Sequence, residues 1–150
     1  MASRESFTHE LVTLGHLLEL RLDRVLRPEG LTARQFCVLR AISEASNVSR
    51  ASLARELHIS PQAVGELTRR LAAAGLAERP EADPGRATAV RLTPNGTDCL
   101  KRSRAIVSET ERDTVALLDP STVEGLLAGV RGLLESLPPG PLDPARHPSA

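Results

Sequence analysis

Two short amphipathic helices with almost no chain between them, a strand-like stretch with a turn directly after them, and a long apolar-striped helix at each end predict the fold of this 150-residue chain. Together they predict a mainly α fold: a winged helix-turn-helix domain with a small β-hairpin wing, flanked by N- and C-terminal dimerisation helices. The expected segments are an N-terminal dimerisation helix in 1–30, the winged helix-turn-helix in 31–93, C-terminal dimerisation helices in 94–137 and a disordered tail in 138–150, all within one domain.

Each element follows from local chemistry. From Ser6 to Arg27 the residues Phe7, Leu11, Leu14, Leu18, Leu22 and Val25 recur at three- and four-residue steps, the period of an amphipathic helix. Pro28 and Gly30 end it. Thr32 and Gln35 have the spacing of a capping box and open a second helix through Phe36, Leu39 and Ile42, which Asn47 breaks. Ser49 caps a short third helix carrying Leu53 and Leu57, expected to end at His58. Ser60-Pro61 then supplies an N-cap followed by proline at the first helical position, and Val64, Leu67 and Leu71 form the buried stripe up to the stop at Gly75. Helices joined by so tight a turn must cross steeply.

Beyond Ala77, Val90 and Leu92 alternate with polar neighbours, and Asp83-Pro84-Gly85-Arg86 is a turn sequence, so a hairpin is expected over 77–93. Thr93-Pro94 and Asp119-Pro120 are two further cap-plus-proline starts. The last helix carries Val123, Leu126, Leu127, Val130, Leu133, Leu134 and Leu137, a stripe too apolar to face water alone. It is expected to pack with the first helix across a dimer interface. The tail after Leu137 is rich in proline and small residues and has almost nothing to bury.

Bulk properties narrow the function. The start of the chain lacks the apolar run of a signal peptide and no stretch has the length of a membrane span, so a cytoplasmic location is expected. Cys37 and Cys99 form no CxxC pair and default to buried hydrophobes. Net charge is zero, yet 31–93 holds nine arginines against six acids, a net of +3 set between acidic flanks. A DNA reader with separate dimerisation arms has this distribution. No nucleophile, base and orienting group assemble into one motif, and phosphate-binding glycine loops are absent, which argues against an enzyme and implies no cofactor.

Several motifs, taken in order, resemble the MarR family of transcriptional regulators. They are Leu31-Thr32 with Gln35-Phe36, the run from Leu53 to Val64, Arg69-Arg70-Leu71, Gly75-Leu76-Ala77-Glu78-Arg79, the wing-tip Asp83-x-x-Arg86, and Leu92-Thr93-Pro94-Asn95-Gly96. The resemblance implies a dimer whose first and last helices interlock and whose two winged domains face double-stranded DNA, commonly as a repressor relieved by a small-molecule effector.

In that geometry the helix starting after Ser60 enters the major groove, its free N–H groups favouring phosphate beside Ser60 and Pro61. Gln62 can pair with adenine and Ala63 can touch a thymine methyl. Arg69 is placed for phosphate, as is Arg79, for which the alternative is a pairing with Asp83. Arg86 at the wing tip suits a narrow minor groove, with Asp83 holding it; the plain alternative is a surface ion pair in an exposed turn. Glu66 either accepts from cytosine or tethers Arg70 one turn on. Gly65 is explained by close approach to DNA or by drift, and His58 stands where a left-handed conformation is needed. His16 and Arg40 are the candidate polar members of an effector pocket. A pseudo-palindromic operator with half-sites about one helical turn apart is expected.

Two alternatives remain open at this level. One is a redox or metal sensor on the same scaffold, through Cys37 or Cys99, or through His9 and His16. The other is a winged-helix module that binds protein and no DNA.

Overall fold

The computed structural model describes residues 4–45, 48–78 and 89–137. Its elements are α1 (Arg4–Leu26), a 3-10 turn (Arg27–Glu29), α2 (Ala33–Glu44), α3 (Arg50–Glu56), α4 (Pro61–Ala73), β1 (Ala77–Glu78), β2 (Arg91–Leu92), α5 (Pro94–Val115) and α6 (Pro120–Ser136). The expected break at Asn47, the turn Asp83-Pro84-Gly85-Arg86 and the tail from 138 lie outside the described residues.

Side-chain caps set the helix starts as anticipated. Thr32 accepts from the Gln35 N–H while the Gln35 side chain accepts from the Thr32 N–H, a complete capping box. Ser49, Ser60, Thr93 and Asp119 each accept from the backbone N–H three residues on. Helix ends required more than the sequence showed. The first helix stops at Leu26 rather than Arg27, because Pro28 tightens the chain into the 3-10 turn closed by Gly30 at φ 70°. The third helix stops at Glu56, not His58, because His58 adopts φ 52° and closes a Schellman motif. There the Ile59 N–H reaches Ala54 O at 3.1 Å and the His58 N–H reaches Arg55 O at 3.3 Å. Gly75 closes α4 in the same way, with Leu76 N–H to Leu71 O at 2.9 Å.

The core forms around α2. Leu26, Val38, Leu39, Leu53, Val64 and Leu71 are fully enclosed, with Phe36, Ile42, Leu76 and Leu100 packed around them. Burying each of these apolar side chains contributes about 1.5–3 kcal/mol against the chain entropy lost on folding. β1 and β2 pair antiparallel, Ala77 opposite Leu92 and Glu78 opposite Arg91, and a bridge joins Val48 to Val90. The wing base is thereby stitched to the loop before α3.

The outer parts of α1 and α6 stay outside that core. Only the last turns of α1 reach it, through Leu22, Val25 and Leu26. Phe7, Leu11, Leu14, Leu17 and Leu18 are exposed, and α6 has no buried residue although it carries Leu126, Leu127, Val130, Leu133 and Leu134. In isolation this apolar surface faces water, the situation that a partner surface relieves.

Candidate nucleic-acid interface

The helix expected to enter the major groove is α4. Only Leu57 to Ser60 separate it from α3, and the two helices pack directly on each other. Val64, Thr68 and Leu71 face the core, which turns Pro61, Gln62, Glu66 and Arg69 outward along one face. Thr68 is buried at no cost in hydrogen bonding, since its hydroxyl donates to Val64 O at 2.8 Å. Ser60 is half-buried and its Oγ accepts from the Ala63 N–H at 3.2 Å, which leaves its own O–H to donate outward. Ala63 is half-buried at the same end. Gln62 and Arg69 form no side-chain hydrogen bond or ion pair among the described residues and are open to an external partner.

Glu66 is paired with Arg70, the intrahelical tether rather than a free acceptor. Both side chains are more than half exposed, 52% and 59%, so the pair contributes about 0.3–0.5 kcal/mol. A Cβ on Gly65 would lie 3.6 Å from Arg50 Nη1, an ordinary contact, so packing within this chain does not require glycine there.

Arg50 is a residue that sequence reasoning passed over. It is the first residue of α3 and, with Ala51, Pro61, Gln62 and Gly65, lines a shallow cleft of about 560 Å³ beside the start of α4. The signal was available in principle: an arginine directly after a helix N-cap in the element that precedes the recognition helix. Arg79, Asp83 and Arg86 lie outside the described residues.

A second cleft, about 520 Å³, opens between α1, α2 and the turn before α4. Leu18, Leu22, Leu57 and Ile59 make it apolar, while Arg34 and Glu19 face each other at its edge, 2.7 Å apart. The Asp23 carboxylate accepts from the Ala33 N–H at 2.6 Å and pins the start of α2 to α1 on the same side. His16 and Arg40 do not line this cleft. His16 falls off the Gly15, Leu18, Glu19, Leu22 face, and Arg40 sits toward the far end of α2, 3.9 Å from Glu44.

Cys37 does line it, half-buried, and burial pushes its thiol above the ordinary value against the opposing pull of Arg40 and Arg34. Burial likewise raises Cys99. A protonated thiol is a poor nucleophile toward oxidants. Among the described residues, no group of three His, Cys, Asp or Glu side chains is placed to hold a metal, and His9 and His16 stand exposed on α1.

Comparison with known proteins agrees with this architecture. A family model described as "MarR family" matches residues 29–87. The HTH-type transcriptional repressor Rv2887 of Mycobacterium tuberculosis is 37% identical over 114 residues, covering 70% of this chain and 81% of that protein. The crystal structure of the M. tuberculosis MarR family protein Rv2887 in complex with DNA superposes with a TM-score of 0.67 at 28% identity, covering 84% of this chain and 95% of that one. The same protein in complex with p-aminosalicylic acid gives 0.67 at 30% identity, over 84% of this chain and 96% of that one. With the tight helix pair, the two-stranded wing base and these relatives in agreement, the chain belongs to the MarR family of winged helix-turn-helix transcriptional regulators.

Proposed function

We propose that this chain is a dimeric repressor that reads a pseudo-palindromic operator through α4 and is released by a small organic effector. The observation that carries the reading is the outward face of α4. Its core side is fully used by Val64, Thr68 and Leu71, while Gln62, in the first turn, and Arg69, two turns further on, project outward with no internal partner among the described residues. Ser60, Pro61 and Ala63 approach phosphate and base edges at the N-terminal end, Gln62 reads adenine, and Arg69 holds phosphate. Arg79 and Arg86, with Asp83 orienting the wing tip, reach the backbone and minor groove.

Dimerisation uses segments 1–30 and 94–137 through the exposed apolar faces of α1 and α6, leaving 31–93 to face DNA. Two-fold symmetry then spaces the half-sites about one helical turn apart. The relative's complex with DNA supports DNA as the partner.

For the effector, the α1–α2 cleft supports an organic anion, and the relative's complex with p-aminosalicylic acid supports that class. An incoming carboxylate competes with Glu19 for Arg34, while His58 and Ile59 place the occupant against the turn that launches α4. Displacing that turn re-aims the reading face. His16 and Arg40 are not walls of this cleft and carry no part of the effector proposal.

The deciding experiment is a titration on duplex DNA across salt concentrations with the oligomeric state measured in parallel. Specific binding that weakens steeply with salt, one dimer per operator, is expected. A monomer indifferent to every duplex at low salt removes the reading and leaves the protein-binding module.

A further inference from the structure

A cleft of about 430 Å³ lies at the other end of α2 from the effector cleft, where α2, β2 and α5 meet. That volume lies within the range of small-molecule sites, roughly 300–1,000 Å³. Its floor is apolar and comes from three separate elements: Ile42, Val90 and Leu100 are buried, and Leu92 is half-buried beside them. None of its walls belongs to α1 or α6; Thr97, Leu100, Lys101 and Arg104 lie on α5, within 94–137 but off the two apolar faces proposed for dimerisation.

Two cations stand over this floor on one face of α5. Lys101 and Arg104 are three residues apart, a spacing that brings like charges together at a cost. Arg104 is held in place: its Nη2 donates to Ser43 Oγ at 3.0 Å and to Glu44 Oε1 at 3.4 Å. Glu44 is itself shared with Arg40. Among the described residues, Lys101 has no hydrogen bond or ion pair and none of the residues lining the cleft is acidic. Arg91, also on the rim, stands opposite Glu78 in the wing ladder and is not needed here.

We infer that this cleft is a second ligand site, one that takes a small amphipathic carboxylate. The carboxylate lies between the Lys101 ammonium and the Arg104 guanidinium, and the hydrocarbon body covers Ile42, Val90, Leu92 and Leu100. A neutral occupant leaves Lys101 unanswered, and a bare inorganic anion leaves the apolar floor wet; an amphipathic monoanion satisfies both. Such a ligand bridges the end of α2, the wing base and α5. Its effect on the operator rests on the function proposed above, whereas its binding does not.

The test is a titration of the full chain, labelled at isoleucine, leucine and valine methyls, with octanoate and with octanol as the uncharged control, read by NMR without DNA. Octanoate is expected to shift the Ile42, Val90, Leu92 and Leu100 methyls where octanol does not, and Lys101→Ala is expected to weaken it roughly tenfold, the loss of one charge-assisted contact. Shifts confined to Leu18, Leu22, Leu57 and Ile59, equal responses to the two probes, or no response at millimolar octanoate each overturn the inference. The same variant is expected to keep its operator affinity in the absence of octanoate. A loss there makes Lys101 a phosphate contact and also overturns it.

Discussion

Gly96, in the first turn of α5, lies against the carbonyl of Leu76, just after α4: a Cβ placed on Gly96 would stand 1.8 Å from Leu76 O. Thr93 fastens the same corner. Its hydroxyl donates to Gly75 O at 2.6 Å and accepts from the Gly96 N–H at 2.9 Å, while its own N–H reaches Leu76 O at 3.1 Å. The end of the recognition helix and the start of α5 are therefore one joint, and the Leu-Thr-Pro-x-Gly stretch is the chemistry of that joint. Gly96→Ala forces backbone apart and is expected to destabilise the fold by about 3 kcal/mol, the upper range of overpacking. Urea unfolding followed by circular dichroism measures it; a loss below about 0.5 kcal/mol, the scatter of ordinary surface changes, contradicts the joint.

His58 is a non-glycine residue at φ 52°. The left-handed region costs an ordinary L-residue about 1–2 kcal/mol, and histidine is among the types that tolerate it. His58→Val is expected to lower stability by about 1–2 kcal/mol, whereas His58→Gly is neutral to stabilising by up to about 1 kcal/mol. Midpoints of chemical denaturation for the two variants, on opposite sides of the parent, are the expected pattern.

On the proposed reading face, Gln62 and Arg69 are expected to separate by role. Gln62→Ala is expected to cost about 1–3 kcal/mol on the preferred operator and to relax base preference at one position. Arg69→Ala is expected to weaken all duplexes about equally and reduce the salt slope by about one. Arg86→Ala is expected to cost about 1–3 kcal/mol while the dimer survives. Fluorescence anisotropy on matched and mismatched duplexes distinguishes the three; unchanged affinity for Arg86→Ala takes the wing out of the mechanism.

The exposed stripe of α6 gives a prediction about assembly. Leu133 is exposed at 39% in the isolated chain and belongs neither to the buried core nor to the partly buried residues packed on it. If the proposed dimer forms through α6, Leu133→Glu is expected to leave the winged domain folded yet yield a monomer, with operator affinity falling together with dimerisation. Sedimentation at micromolar protein reads the mass, and a dimer that persists places the interface elsewhere.

Asp119 caps α6 by accepting from the Thr122 N–H at 3.0 Å and from the hydroxyls of Ser121 and Thr122. Those bonds, Ser121 first, hold its carboxyl well below its ordinary value of 3.8. A folded-state value below the unfolded one means that the contribution is present above about pH 4 and is lost as pH falls toward the folded value. Helicity of the parent is expected to decline on acidification in a step that Asp119→Asn lacks, since asparagine caps without titrating. Circular dichroism between pH 5 and pH 2 shows whether the two curves part.

Much of this architecture was legible from residues alone, because its signals are local. A cap hydroxyl three residues before an N–H, a proline at the first helical position and an apolar stripe at helical spacing act within one turn of chain, and the starts of α2, α3, α4, α5 and α6 follow from them. Tertiary structure decided what depends on residues distant in sequence. Asp23 holds the start of α2, Arg34 meets Glu19 at the edge of the α1–α2 cleft, which His16 and Arg40 do not line, and Arg50 comes to lie beside Gln62. Periodicity reports which face of a helix is apolar, but whether that face meets its own core, as Val64 and Leu71 do, or remains bare, as Leu133 does, depends on where the chain folds back. That choice is made by packing between elements, whose energy no single stretch of sequence contains.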